Sequence, residues 1–105
     1  MALDLKTVTS IVKTYADEVR RTMPIQKVVL YGSYAKGLAS EDSDVDVCFF
    51  LSSFADQKRE DIMIEMFGLA RKYKLYIEPI AFEVSDLYDD NPFVKEVLRT
   101  GIEIQ

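Results

Sequence analysis

No histidine and no tryptophan occur in this chain, which also has one cysteine, three prolines and four glycines. The missing histidine removes imidazole general-base catalysis and every histidine-ligated metal site. A single cysteine, Cys48, cannot close an internal disulfide, which suits a reducing compartment and predicts a cytoplasmic protein. Cys48 lies inside an apolar run and reads as a small buried hydrophobe. No apolar stretch approaches the length of a membrane span, and the N-terminus lacks the basic-then-apolar order of a signal peptide. Positive charge is also in deficit: 13 Lys and Arg stand against 18 Asp and Glu, a net charge of −5. Such a balance argues against a nucleic-acid partner gripped through its phosphates. A small nucleotide carried with a metal stays compatible, because the metal brings its own charge.

What is present points to an ordinary globular protein. The 105 residues are 49% apolar and 30% charged, which predicts one domain over 1–105 with a modest core. Leu5, Val8, Ile11, Val12, Tyr15, Ala16, Val19 and Met23 recur at three- and four-residue spacing. This predicts an amphipathic helix over 4–22, with Asp4 as N-cap and Pro24 closing it. Strands are expected at 27–31, 44–51 and 75–84, a second helix at 57–73, and a last short helix at 92–100 ending at Gly101. Ile102 to Ile104 suit a final short strand. Pro79 has no N–H to give a ladder, so the third strand should be an edge or bulged there. The order predicts an α/β (α+β) fold, a small mixed sheet with helices packed on one face.

The most informative stretch joins the first two strands. Gly32-Ser33 is followed by ten residues and then by Asp44-Val45-Asp46. Gly32 lets the backbone approach a bulky anion, and Ser33 offers a hydroxyl and an N–H to phosphate oxygens. A helical turn at 34–37 would set these amides at a helix N-terminus. Asp44 and Asp46 point the same way because side chains alternate along a strand. Two carboxylates on one face repel, and a cation between them removes the cost. Carboxylates completed by phosphates are the usual setting of Mg²⁺. A phosphate cradle facing a metal pair is what nucleotidyl transfer requires.

This stretch resembles the signature of the nucleotidyltransferase superfamily that includes DNA polymerase β: Gly-Ser, about ten residues, then Asp-x-Asp. From average residue usage the four fixed positions arise by chance in roughly one chain per thousand of this length. The resemblance implies the polymerase-β-like fold and covers nearly the whole chain. The chain looks like a minimal nucleotidyltransferase, and its ending, Asn91 to Ile104, is similar to that of the enzymes paired with HEPN-domain proteins in toxin–antitoxin systems. Those relatives imply a reaction: AMP moves from Mg²⁺-ATP to a tyrosine hydroxyl on the HEPN partner. They also imply two Mg²⁺ ions and a hetero-oligomer. Carried over by position, Gly32 and Ser33 hold the triphosphate, and Asp44 and Asp46 hold metal.

Two-metal transfer commonly takes a third acid from a neighbouring strand. Glu78 is the acid in the first part of the third strand, among apolar neighbours that make an unpartnered carboxylate costly. Where the family commonly has Asp, this chain has the longer Glu, which serves either as a ligand or as an activating base. Glu83, near the strand end, is its rival. Lys36 either steadies a phosphate or pins the loop to an acid, and Ser43 either touches a phosphate or caps the approach to the strand. Tyr31 and Tyr34 flank the turn and are expected to pack, not to stack a base. Gly37 is expected to supply a positive φ. A binding module that neutralises its partner by contact alone is the alternative to the enzyme. The intact Gly32, Ser33, Asp44 and Asp46 favour the enzyme.

Overall fold

The structure is a computed structural model that describes residues 3–105. The first helix, α1, spans Leu5–Arg20, and Asp4 caps it by accepting a 2.8 Å hydrogen bond from the Thr7 amide. That cap satisfies one of the donors a helix start leaves unpaired. Its apolar stripe, Val8, Val12, Tyr15, Ala16 and Val19, is fully buried. The expected helix over 4–22 is thus found, shortened by a frayed turn at the residues before Pro24.

Four strands form one sheet in the order β3-β2-β1-β4, with β1 at Ile25–Tyr31, β2 at Val45–Leu51, β3 at Ile77–Glu83 and β4 at Ile102–Glu103. β1 runs antiparallel to both β2 and β4, whereas β2 and β3 are parallel. A parallel pair needs a crossover, and helix α3, Arg59–Ala70, supplies it. The edge position foreseen for the Pro79 strand is where β3 lies. The short α2, Ser33–Lys36, sits in the β1–β2 connection, and α4, Pro92–Thr100, precedes β4. Asn91 caps α4 by accepting from the Phe93 and Val94 amides, and Pro92 opens its first turn.

One expectation fails. Helices cover both faces of the sheet, not one. On the first face α1 and α3 pack on Val28, Leu30, Val47, Phe49 and Leu51. On the second, Val94 and Val97 of α4 pack on Val29, Cys48, Phe50 and Phe82. The reason lies in β2, where every residue from Val47 to Leu51 is buried. An uninterrupted apolar strand of this kind needs cover on both sides, whereas a one-sided sheet would alternate. Across the first layer the Tyr15 hydroxyl donates a buried 2.8 Å hydrogen bond to the Met66 carbonyl, tying α1 to α3. Among the described residues no helix is long and apolar enough to cross a membrane.

Gly101 ends α4, but not by turning left-handed: its φ is −83°. A Cβ there would stand 2.4 Å from Val29 Cγ1 and 2.5 Å from the Val97 carbonyl oxygen. The residue is glycine because helix and sheet meet at its backbone. Gly37 is the opposite case, with φ +74° and open space around it. Gly101→Ala should therefore destabilise the protein by about 3 kcal/mol, the upper range for overpacking. Gly37→Asn, which tolerates the left-handed region, should cost under about 1 kcal/mol. Urea unfolding midpoints of the two variants check the contrast.

Candidate active site

The sequence between β1 and β2 builds one wall of the site. Tyr31 is the last residue of β1, and Gly32 follows with φ +76° and ψ −151°, a conformation open to glycine. Gly32 then caps α2, while Gly37 closes it in the left-handed region as expected. The backbone of Gly32 abuts a carboxylate: a Cβ at this position would lie 2.2 Å from Asp46 Oδ2. Two constraints, conformation and space, thus fix glycine here. The close approach expected toward a ligand is in the first place an approach to Asp46.

The strand register assembles the rest. Asp46 on the central strand β2 stands opposite Tyr31 of β1 and opposite Glu78 of β3. Tyr31, Asp46 and Glu78 therefore form a row across three strands on the α4 face of the sheet. Asp44 lies just before β2, two residues from Asp46 and on the same side. Burial, then the charges of Glu78 and Asp44, push the Asp46 carboxyl up to about 6. Glu78 is also raised, by burial and by a hydrogen bond to Asp44 and the charge of that residue. The Tyr31 phenol is raised as well, by burial and then by Asp46.

Glu83, the rival third acid, is elsewhere. It pairs with Leu51 at the far end of β3, and its carboxylate accepts from the Phe54 amide at 2.9 Å. It also caps the 3₁₀ turn Val84–Leu87. Lys36 stands 3.9 Å from Glu96, linking α2 to α4 on an exposed surface. The Ser43 hydroxyl accepts from the Ser40 amide at 2.8 Å and so pins the loop that leads into β2. Tyr34 is buried in the core. Cys48 is fully buried and its thiol is pushed up to about 12, an inert residue as expected.

The structure adds Phe93, for which the sequence carried no signal. Its ring meets Tyr31 edge-on at 5.6 Å and Phe82 at 5.8 Å, while 41% of the residue remains exposed. Helix α4 brings this aromatic to the face of the carboxylates. The expectation that Tyr31 packs is met through the same contact.

The donor set tests whether a metal fits. Asp44, Asp46 and Glu78 offer only hard carboxylate oxygens, with no nitrogen or sulfur among them, which selects Mg²⁺ over softer cations. Among the described residues no group of three or more acids, cysteines or histidines is placed to hold a metal ion. Mg²⁺ does not need one, since it usually takes one or two carboxylates and completes its shell with water and substrate phosphates.

Residues 12–100 match the family model described as a nucleotidyltransferase domain. A chain of Methanocaldococcus jannaschii named as a protein adenylyltransferase is 31% identical over 81 residues, 76% of this chain and 79% of its own length. The protein adenylyltransferase MntA of Thermococcus cleftensis is 38% identical over 45 residues, 43% of this chain and 46% of its own. Among solved structures, one described as a nucleotidyltransferase of Sulfolobus solfataricus superposes with a TM-score of 0.66 at 17% identity, covering 94% of this chain and 80% of that one. A chain of a toxin–antitoxin crystal structure with AMP-PNP superposes with a TM-score of 0.60 at 18% identity, covering 89% and 72%. At these identities the two structures speak for the fold, and it is the one the sequence led us to expect.

The electrostatics carry a pH signature. In the metal-free protein the Asp46 carboxyl is raised from 3.8 to about 6. A raised carboxyl contributes stability that is full below the unfolded value and lost as pH rises through the folded one. The wild-type protein in EDTA should lose this contribution between pH 4 and 7. Asp46→Asn should lack that loss and exceed wild type by about 1–2 kcal/mol at pH 7.5, after allowing for solvent screening. Thermal melts of both proteins across this range are the check, read as their difference so that the other carboxylates cancel.

Proposed function

This chain belongs to the nucleotidyltransferase domain family, and from that premise we propose that it is a Mg²⁺-dependent protein adenylyltransferase that moves AMP from ATP to a tyrosine hydroxyl of a HEPN-type partner protein. Silencing that partner makes it an antitoxin. The observation that carries the reading is the row of Asp46 and Glu78 on adjacent strands, joined by Asp44 and abutted by Gly32. Two relatives named as protein adenylyltransferases support the acceptor class, and the toxin–antitoxin likeness supports the partner. The net charge of −5 supports a protein over a polyanionic acceptor.

In this reading Asp44, Asp46 and Glu78 would hold Mg²⁺, which would supply positive charge to the triphosphate and to the charge developing on its oxygens. Gly32 and Ser33 hold the phosphates through backbone N–H groups and the Ser33 hydroxyl. Ser43 fixes the loop that delivers Asp44, and Lys36 adds positive charge near α2 through its long side chain. The acceptor oxygen forms its bond to the α-phosphorus as the bond from phosphorus to pyrophosphate breaks. Pyrophosphate leaves with the electron pair. The phenolic proton, whose ordinary pKa is about 10, passes to a carboxylate oxygen of Glu78.

Incubation of the chain with Mg²⁺-ATP and the HEPN protein, followed by intact mass measurement, tests the proposal. The expected result is an AMP-sized increment on the partner. Asp46→Asn and Glu78→Gln should each lower the rate on the order of 10³-fold, the several kcal/mol a metal site contributes. Glu83→Gln should leave the rate within about threefold, since a surface or loop substitution moves energies by roughly 0.5 kcal/mol. Neutralisation of the partner with no mass change, equally strong with Asp44→Asn, would establish the contact-only module instead.

A further inference from the structure

Helix α3 carries apolar residues on the side that faces water. Ile62, Met66 and Ala70 seat it in the core, and a helix seated in this way normally turns polar residues outward. Helix α1 does so, with Lys6, Ser10, Lys13 and Asp17 exposed. On α3 the outward stripe is instead Glu60, Ile64, Phe67 and Arg71, the residue that closes the helix, with Gly68 beside Ile64. Ile64 is 67% exposed and Phe67 is half-buried. Steps of four, three and four residues keep these positions on one side of the helix, which is the spacing of a helix–helix seam.

The stripe is its own complement. Glu60 and Arg71 lie equally far from the midpoint between Glu65 and Met66, one on each side, and so do Ile64 and Phe67. A second α3 laid antiparallel across that midpoint sets Glu60 of each copy against Arg71 of the other. It also sets Ile64 of each copy against Phe67 of the other. A parallel copy would bring Glu60 to Glu60 and Arg71 to Arg71, which repels. Among the described residues neither Glu60 nor Arg71 forms an ion pair within its own chain. Gly68 is an independent sign. Glycine inside a helix is destabilising. A Cβ at Gly68 would meet nothing within 4 Å, so the packing of this chain does not call for glycine there. A second helix drawn close beside Ile64 does.

We propose that the outer face of α3 binds a second copy of this chain, antiparallel and about a two-fold axis. The same patch then serves on both copies, as an isologous contact requires. The acids lie on the opposite face of the sheet, beside α4, so both copies keep their Asp46–Glu78 rows open. The inference goes beyond the transferase reading and stands without it. A 12-residue helix is about 18 Å long and covers less than the roughly 800 Å² per partner of a standard interface. The dimer is therefore a weak one, with a Kd on the order of 10 µM.

Sedimentation velocity of the full chain between about 1 µM and about 1 mM tests the proposal, since a weak dimer forms by mass action. The wild type should move from the 12.0 kDa monomer toward twice that mass. Glu60→Lys and Arg71→Glu, both at exposed positions, should each weaken the dimer at least fivefold, because each sets like charges together twice per dimer. The double variant Glu60→Lys/Arg71→Glu should return to within twofold of wild type. Ile64→Asp should abolish the dimer. A wild type that stays monomeric at the highest concentration would overturn the proposal. So would a dimer indifferent to these charges, or a double variant no better than either single one. A monomeric wild type whose binding to a HEPN-type protein is lost in Ile64→Asp would overturn it by giving this face to that protein.

Discussion

Repulsion between carboxylates packed side by side is the constraint on which the site depends. Sheet register sets Asp46 directly across from Glu78, and Asp44, just before β2, is hydrogen-bonded to Glu78. Among the described residues no cationic side chain forms an ion pair with these acids. Burial raises the cost, because less water is available to screen them. The fold therefore holds an electrostatic strain that a proton relieves at low pH and that, in the proposed reading, a divalent cation would relieve at neutral pH. Such a row of half-buried acids is costly without a partner, and in the proposed reading it is the functional end of the molecule.

The rest of the architecture serves to hold that row still. β2 is buried on both faces beyond Asp46, from Val47 through Leu51, and this anchors the strand that carries the acid. Gly32 leaves the space that the Asp46 carboxylate occupies. Helix α4 closes the second face by seating Val94 and Val97, and Gly101 lets it turn into β4 at backbone contact. The same helix brings Phe93 beside Tyr31. Packing and chemistry are thus separated along the strands: apolar residues toward one end, acids toward the other.

The elements themselves were readable from the sequence because their signals are local. Asp4 announces a cap, the stripe from Val8 to Val19 announces a helix, and Pro79 announces an edge strand. The Gly32-Ser33 and Asp44-Val45-Asp46 spacing also identified the family, because it sits between two apolar strands. Long-range placement was harder. The sequence suggested helices on one face, although the unbroken apolar run of β2 already implied two. Glu78 and Glu83 could not be separated by sequence position alone; register separates them, placing one beside Asp46 and the other beside Leu51. Gly101 was read only as the end of the last helix, and the reason it is glycine is a contact with Val29, distant in sequence. Phe93 left no trace, since its place arises only when distant elements meet.

The central claim is that the acids of β2 and β3 form a cation site that admits a nucleoside triphosphate only when metal is present. Calorimetric titration of the purified chain with ATP, once in Mg²⁺ and once in EDTA, tests it most directly. The account predicts saturable binding in Mg²⁺ and at least tenfold weaker binding in EDTA, because bare carboxylates repel phosphate. Equal affinity in the two buffers would contradict it.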